Sequence, residues 1–240
     1  MADKFKAIVI NQEGESFKRE IKELDLDFLD QGEVLIKVDF SDLNFKDALI
    51  LNDGGKLVKD FPRIPGIDLS GKVIESTSEE FKKDDEVIVT GCRVGEIYHG
   101  GYSQVAKVNK DFLVKKPKNL TLKQSMILGT AGFTALLCAL AVNAREEILL
   151  GEKVNDVLVT GATGGVGTVA VMALSKIGYN VTAVTGKSNQ EAVLKKLGAK
   201  NVISREEFDG DPKLLGKGLW DGVVDTVGGN ILAHAISQTR

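Results

Sequence analysis

Val157-Leu158-Val159-Thr160-Gly161-Ala162-Thr163-Gly164-Gly165-Val166-Gly167 is the stretch on which the reading of this chain turns. The apolar run at its start has the character of a strand buried on both faces, and VGTVAVMALSKIG (166–178) continues as a helix. Between them the glycines make a tight turn. A turn leading from a buried strand to a helix N-terminus offers backbone N–H donors, no side chains to block close approach, and the positive end of the helix dipole. Pyrophosphate needs all three. A bare glycine pattern would be weak evidence. This one leads to a second strand, NVTAVTG (180–186), roughly 20 residues on, which makes it a dinucleotide signal and marks Thr163, Gly164, Gly165, Val166 and Gly167 as cofactor-binding candidates. The competing reading is a turn whose glycines serve packing alone.

The end of that second strand distinguishes the two nicotinamide dinucleotides, because an acidic residue there accepts from a free ribose 2′-hydroxyl. Here it ends in Thr185-Gly186-Lys187-Ser188, without a carboxylate. A lysine and two hydroxyls suit a 2′-phosphate, so NADP(H) is expected over NAD(H). The alternative is a solvated Lys187 with Ser188 capping the next helix.

Working outward, strand and helix patterns alternate from Asp156 to the closing WDGVVDTVGG (220–229), which implies a parallel sheet covered by helices. Upstream, TLKQSMILGTAGFTALLCALAVN (121–143) places Met126, Leu128, Phe133, Leu136, Leu137 and Leu140 at helical spacings behind Thr121 as N-cap, predicting one or two helices to about Glu147. Before residue 120 the apolar runs are short: KAIVI (6–10), EVLIKVDF (33–40), SGKVIES (70–76) and DEVIVTG (85–91). That half reads as mainly β and partly barrel-like. The fold class is therefore α/β, with a β domain over 1–120 and a doubly wound nucleotide domain over 121–240. A complete dinucleotide sheet has six strands; four are recognisable here, so the second domain is expected to be incomplete at its C-terminal side.

Composition narrows the function. Thirty-one basic residues stand against 34 acidic ones, a net charge of −3, with no basic stripe, and this argues against a nucleic-acid partner. The two cysteines, Cys92 and Cys138, suit a reducing compartment. MADKFKAIVI carries no signal core, and no stretch of roughly 18 uninterrupted apolar residues suggests a membrane span. A soluble, cytoplasmic protein with a small-molecule substrate is expected.

LNFKD (43–47), FPRIPGIDLSGKV (61–73), HGGYSQ (99–104), LGTAGFTAL (128–136), VTGATGGVG (159–167), LGA (197–199) and DTVGG (225–229) occur in an order that resembles the medium-chain dehydrogenase/reductase superfamily over essentially the whole chain. Within it the chain is most similar to the zinc-free quinone oxidoreductase-like branch, and to its acrylyl-CoA reductase group. The resemblance implies a GroES-like substrate domain, a Rossmann domain, an active site between them, and a homodimer in the full-length form. It also implies hydride transfer from NADPH to an activated double bond, in an enoyl-CoA or a quinone. Phe45, Thr130 and Thr134 join the cofactor-binding candidates on the same ground.

No metal is expected. Asn44 stands where zinc-dependent relatives carry a cysteine, Gly66-Ile67-Asp68 replaces their Gly-His-Glu, and Cys92 and His99 have no second ligand pair. Without zinc, donors or a cation must stabilise the oxygen that gains charge. Asn44 and Lys46 are the catalytic candidates, with Asp47 orienting Asn44, which could hold the ribose or the substrate carbonyl. The alternatives are a turn with a helix cap for Asn44 and Asp47, and a solvated charge for Lys46. Phe45 replaces a tyrosine common in relatives, which removes a phenolic acid. His99 could donate a proton or serve as a structural ring in its glycine turn; His234 has no expected role. Lys56, Lys59 and Arg63 are a basic group that would suit CoA, the alternative being scattered surface charges. A non-catalytic, NADPH-binding regulatory protein is the reading from a different class.

Overall fold

The computed structural model describes residues 4–14, 16–29, 32–53, 56–148, 155–208, 210 and 216–240. They form two compact units, Met1–Thr130 and Ala131–Arg240.

The first unit has a hairpin and a five-stranded sheet. In the hairpin, β1 (Lys4–Glu13) pairs antiparallel with β2 (Ser16–Asp25). Phe5, Ala7 and Val9 alternate inward along β1, whereas β2, SFKREIKELD, has no buried residue and Ile21 is exposed. β2 is absent from the sequence reading because period-two patterning marks a strand only when one face is buried. The sheet has the order β6-β3-β4-β5-β7, all antiparallel, from β3 (Val34–Ser41), β4 (Asp68–Ser76), β5 (Glu86–Thr90), β6 (Val105–Val108) and β7 (Val114–Lys115). Val34, Ile36, Leu69, Val73, Val87, Val89 and Ala106 fill its core. Each Val, Leu or Ile side chain among them contributes about 1.5–3 kcal/mol when fully buried. The period of two in EVLIKV is realised: Val34 and Ile36 are buried and Lys37 is exposed. The connection from β3 to β4 contains α1 (Phe45–Asp53).

α2 (Leu122–Ile148) opens as expected at Thr121, in a reciprocal capping box. The Thr121 hydroxyl accepts from Gln124 N–H at 3.1 Å, and Gln124 Oε1 accepts from Thr121 N–H at 2.9 Å. Gly129, at φ 51° and ψ −159°, breaks the element into two helices across a kink. By length and composition Leu122–Ala144 is long and apolar enough to cross a membrane, a feature that a search for uninterrupted apolar residues passes over because Lys123, Gln124 and Ser125 stand near its start. Its first turn is tied into the β unit, where the Ser70 hydroxyl donates to Leu122 C=O at 2.9 Å.

The second unit is a parallel sheet of order β10-β9-β8-β11, from β8 (Asp156–Val159), β9 (Asn180–Thr185), β10 (Asn201–Ser204) and β11 (Gly222–Val224). In chain order this is 3-2-1-4, the first four strands of the doubly wound arrangement. Val157 and Val159 face one layer with Val181, Ala183, the α3 (Gly165–Ile177) residues Ala170, Val171 and Leu174, and the α2 residues Ala135, Ala139 and Val142. Leu158 and Val184 face the other, with Ile231 and Ala235 of α5 (Gly229–Ser237). α4 (Glu191–Lys196) follows β9 and buries Leu194 in the first layer. The unbroken apolar run of β8 thus reports a strand covered on both sides.

Candidate functional site

In the second unit the site begins with the glycine turn. Gly161 adopts φ +57°, the left-handed region, where a Cβ would lie 2.2 Å from the Thr226 hydroxyl. Gly164 is exposed and caps α3, whose first N–H groups extend from it. Gly167 is buried and serves packing: a Cβ there would sit 2.3 Å from Gly161 O and 2.7 Å from Ala162 Cα. Packing thus accounts for Gly167, while Gly164 leaves the α3 N-terminus open. The DTVGG segment latches the turn. The Thr160 hydroxyl donates to Asp225 Oδ1 at 2.5 Å and accepts from Thr226 N–H at 3.1 Å, while Asp225 Oδ2 accepts from Gly228 N–H at 2.8 Å.

A cleft of about 360 Å³ adjoins this turn, lined by Gly161, Thr163, Thr185, Gly186, Lys187 and Arg205, with Val227 and Ile231 among its apolar walls. The Thr163 and Thr185 hydroxyls are 3.2 Å apart, and Thr185 accepts from Lys187 N–H at 3.1 Å, fixing the end of β9. A second cleft of about 270 Å³ shares Thr185, Gly186 and Lys187 and adds Ser188, Ser204, Glu191 and Glu206. Ser188 caps neither following helix, since the caps at Lys187 and Gln190 have no side-chain bond. Arg205 escaped the sequence reading: it follows β10 and reaches Gly186 only through the pairing of β10 with β9. Val166 lies in the first turn of α3, and Thr134 in α2 four residues after Thr130.

In the first unit Asp47 is fully buried, and its carboxylate takes Asn44 N–H at 2.9 Å and Ile67 N–H at 2.9 Å. It caps α1 and staples it to the loop before β4. Burial pushes its carboxyl above the usual range, and these two N–H donors oppose the shift. Asp47 thus fixes the backbone at Asn44. Asp47→Ala leaves both N–H groups without their acceptor, and a loss of about 2–4 kcal/mol is expected as a lower urea midpoint; an unchanged midpoint would contradict the role.

Asn44 donates its amide hydrogens to Asp42 Oδ1 at 2.7 Å and to Asp68 Oδ2 at 3.1 Å. Asp68, buried in β4, also accepts from Thr130 N–H at 2.6 Å, the Thr130 hydroxyl at 2.6 Å and Gly91 N–H at 3.1 Å. Thr130, expected at the cofactor, thus holds the carboxylate beside Asn44. Lys46 pairs at 2.8 Å with Glu96, which is 6% exposed, so its ammonium is tethered and not merely solvated. Phe45, at 81% exposed, presents a bare ring.

Three histidine and arginine expectations are resolved by packing. His99 is buried, stacks on Phe28 at 4.8 Å and accepts Ile64 N–H on Nδ1 at 3.1 Å, a structural arrangement. His234 Nε2 lies 3.0 Å from Gly210 O. Arg63 does not belong to a basic rim: it is 7% exposed and its backbone pairs in both directions with Ile10. Among the described residues no three His, Cys, Asp or Glu side chains gather as a metal site, and Asp68 accepts from Thr130 and Gly91.

A GroES-like β unit and a glycine-turn parallel half-sheet together define the nicotinamide-dependent class of oxidoreductase. Residues 30–118 match the family described as the alcohol dehydrogenase GroES-like domain, and residues 165–240 match the zinc-binding dehydrogenase family. The acrylyl-CoA reductase AcuI of Ruegeria pomeroyi is 44% identical over 239 residues, covering 98% of this chain and 72% of that protein. The yhdH oxidoreductase of Salmonella enterica in complex with NADP superposes with a TM-score of 0.92 at 41% identity, over 98% of this chain and 71% of that one. Bacillus subtilis yhfP with NAD bound gives a TM-score of 0.90 at 44% identity, over 99% and 71%. The chain belongs to the medium-chain dehydrogenase/reductase superfamily, in its quinone oxidoreductase-like and acrylyl-CoA reductase branch.

Proposed function

We propose that the chain binds NADPH and reduces the activated double bond of an enoyl-CoA, with an acrylyl-CoA-like thioester as its acceptor. The observation that carries this reading is the cleft beside the glycine turn, where Lys187 and Arg205 share the wall with Thr185 and Gly186 and no carboxylate ends β9. Two cations there suit a 2′-phosphate. The acceptor class is supported by the 44% identity to a protein named acrylyl-CoA reductase.

NADPH supplies the hydride; the chain's residues bind, orient and exclude water. The α3 N-terminus and the exposed backbone of Gly164 and Gly165 receive pyrophosphate. Lys187, Arg205 and Ser188 hold the adenosine-ribose phosphate. Asp47 fixes Asn44, and the exposed Phe45 ring provides an apolar contact that keeps water from the reacting carbons. Lys46, 45% exposed while tethered to Glu96, is the cation for the thioester oxygen as it gains negative charge.

The test follows NADPH absorbance with acrylyl-CoA, crotonyl-CoA and simple quinones as acceptors. Consumption with acrylyl-CoA is expected. Turnover with quinones alone would overturn the acceptor class, and binding of NADPH without oxidation by any acceptor would overturn the enzyme reading in favour of a regulatory binder.

A further inference from the structure

The carboxyls of Asp42 and Asp68 lie together: both accept from the Asn44 amide, and both crowd Gly129. A Cβ at Gly129 would lie 2.0 Å from Asp42 Oδ2 and 2.9 Å from Asp68 Oδ2, so the glycine kink of α2 is what admits the pair. Two carboxyl groups bridged by one amide cannot both ionise cheaply, which favours a proton shared between them. Among the described residues no Lys, Arg or His pairs with either, the nearby Lys46 pairing with Glu96. With the Oδ2 atoms facing across Gly129, Asp42 Oδ1 remains as acceptor for Asn44.

Resting on the cofactor reading above, we infer that Asp42 is a positioning residue: sharing a proton with Asp68, it holds both amide hydrogens of Asn44 inside the cluster, so that Asn44 offers the ligand only its amide oxygen. Asn44 then selects a group that donates, such as a ribose hydroxyl or a carboxamide N–H. It does not stabilise the acceptor's oxyanion, which needs a donor. Of the two roles expected for Asn44, holding the ribose survives and holding the substrate carbonyl does not.

The groups facing Asp42 are Asp68 of β4, Asp47 of α1, Asn44 between β3 and α1, and Tyr102, whose hydroxyl donates to Asp42 C=O at 3.0 Å, while Thr130 of α2 donates to Asp68. Burial first, then the Asp68 charge, pushes Asp42 up to about 8. Because its folded value is raised, the folded chain keeps a proton that the unfolded chain releases above about pH 4. The proton's contribution is present at low pH and is lost as pH rises toward 8. Above that, two like charges repel and Asn44 loses its anchor.

Asp42→Asn is the test, since asparagine keeps an acceptor for Asn44 and a permanent donor for Asp68. From pH 6.5 to 9.5 the NADPH dissociation constant of the wild-type chain is expected to rise on the order of fivefold or more through pH 8, the alkaline limb being absent in Asp42→Asn. Asp42→Ala should bind weakly across the range. In melts without cofactor, the Tm of Asp42→Asn relative to wild type should climb by roughly 5 °C between pH 5 and pH 9. Retention of the wild-type alkaline limb in Asp42→Asn, or a Tm difference that is flat with pH, would overturn the inference. Absence of NADPH binding in every variant would sink the cofactor reading instead, and the melts would still decide the carboxyl pair.

Discussion

Replacing Lys187 and Arg205 together by alanine is expected to weaken NADPH binding by roughly 100- to 1,000-fold while changing NADH binding by less than about threefold. Each hydrogen bond from a charged donor to a phosphate contributes about 1.5–3 kcal/mol, and a factor of ten corresponds to about 1.4 kcal/mol, so losing two amounts to about two to four orders of magnitude, of which salt screening of these exposed side chains leaves the lower part. NADH lacks the 2′-phosphate and loses only packing against the alkyl stems. The two cations approach from different elements, Lys187 just beyond β9 and Arg205 just beyond β10, held together by parallel pairing from Asn201↔Thr182 to Ser204↔Thr185. Parallel losses for NADPH and NADH in titration calorimetry would mean that both side chains act on the scaffold and not on the phosphate.

Gly167→Ala is expected to cost the second unit more than about 3 kcal/mol, read as collapse of its cooperative unfolding transition. The added methyl group would stand 2.3 Å from Gly161 O and 2.9 Å from Gly161 C, and 2.7 Å from Ala162 Cα. All three are backbone atoms of the same turn, so no rotamer change relieves the clash. Either α3 moves off the sheet or the turn opens, and overpacking at a site that cannot yield lies at the upper end of its usual cost. Gly164→Ala meets only Gly161 O at 3.2 Å, and its loss should fall on dinucleotide affinity and not on folding. If Gly167→Ala melts like the parent, the close helix–strand contact is not what this glycine provides.

The nucleotide half was legible because its physics is local. A strand buried on both faces is a run of aliphatics, a turn that must approach a phosphate is glycine, and Val157-Leu158-Val159 followed by the glycines records both in one line of sequence. β2 was illegible because it buries nothing, and α1 because only nine residues follow Asn44 in that helix, too short a window for helical periodicity to stand out. Asn44 and Asp47 stand out in the sequence by their motif, yet the direction of the Asn44 amide depends on Asp42 and Asp68, which are brought together by the β3–β4 pairing and the Gly129 kink. Arg205 and Arg63 show the same limit with opposite outcomes. One basic residue enters a cleft by strand order and the other is buried beside β1, and neither fact is written in its neighbours.

Calorimetric titration of the 240-residue chain with NADPH and with NADH, at matched salt, addresses the cofactor claim most directly. The arrangement of Lys187 and Arg205 predicts that NADPH binds at least about tenfold more tightly, with the difference shrinking as salt rises. Equal or tighter binding of NADH would contradict it.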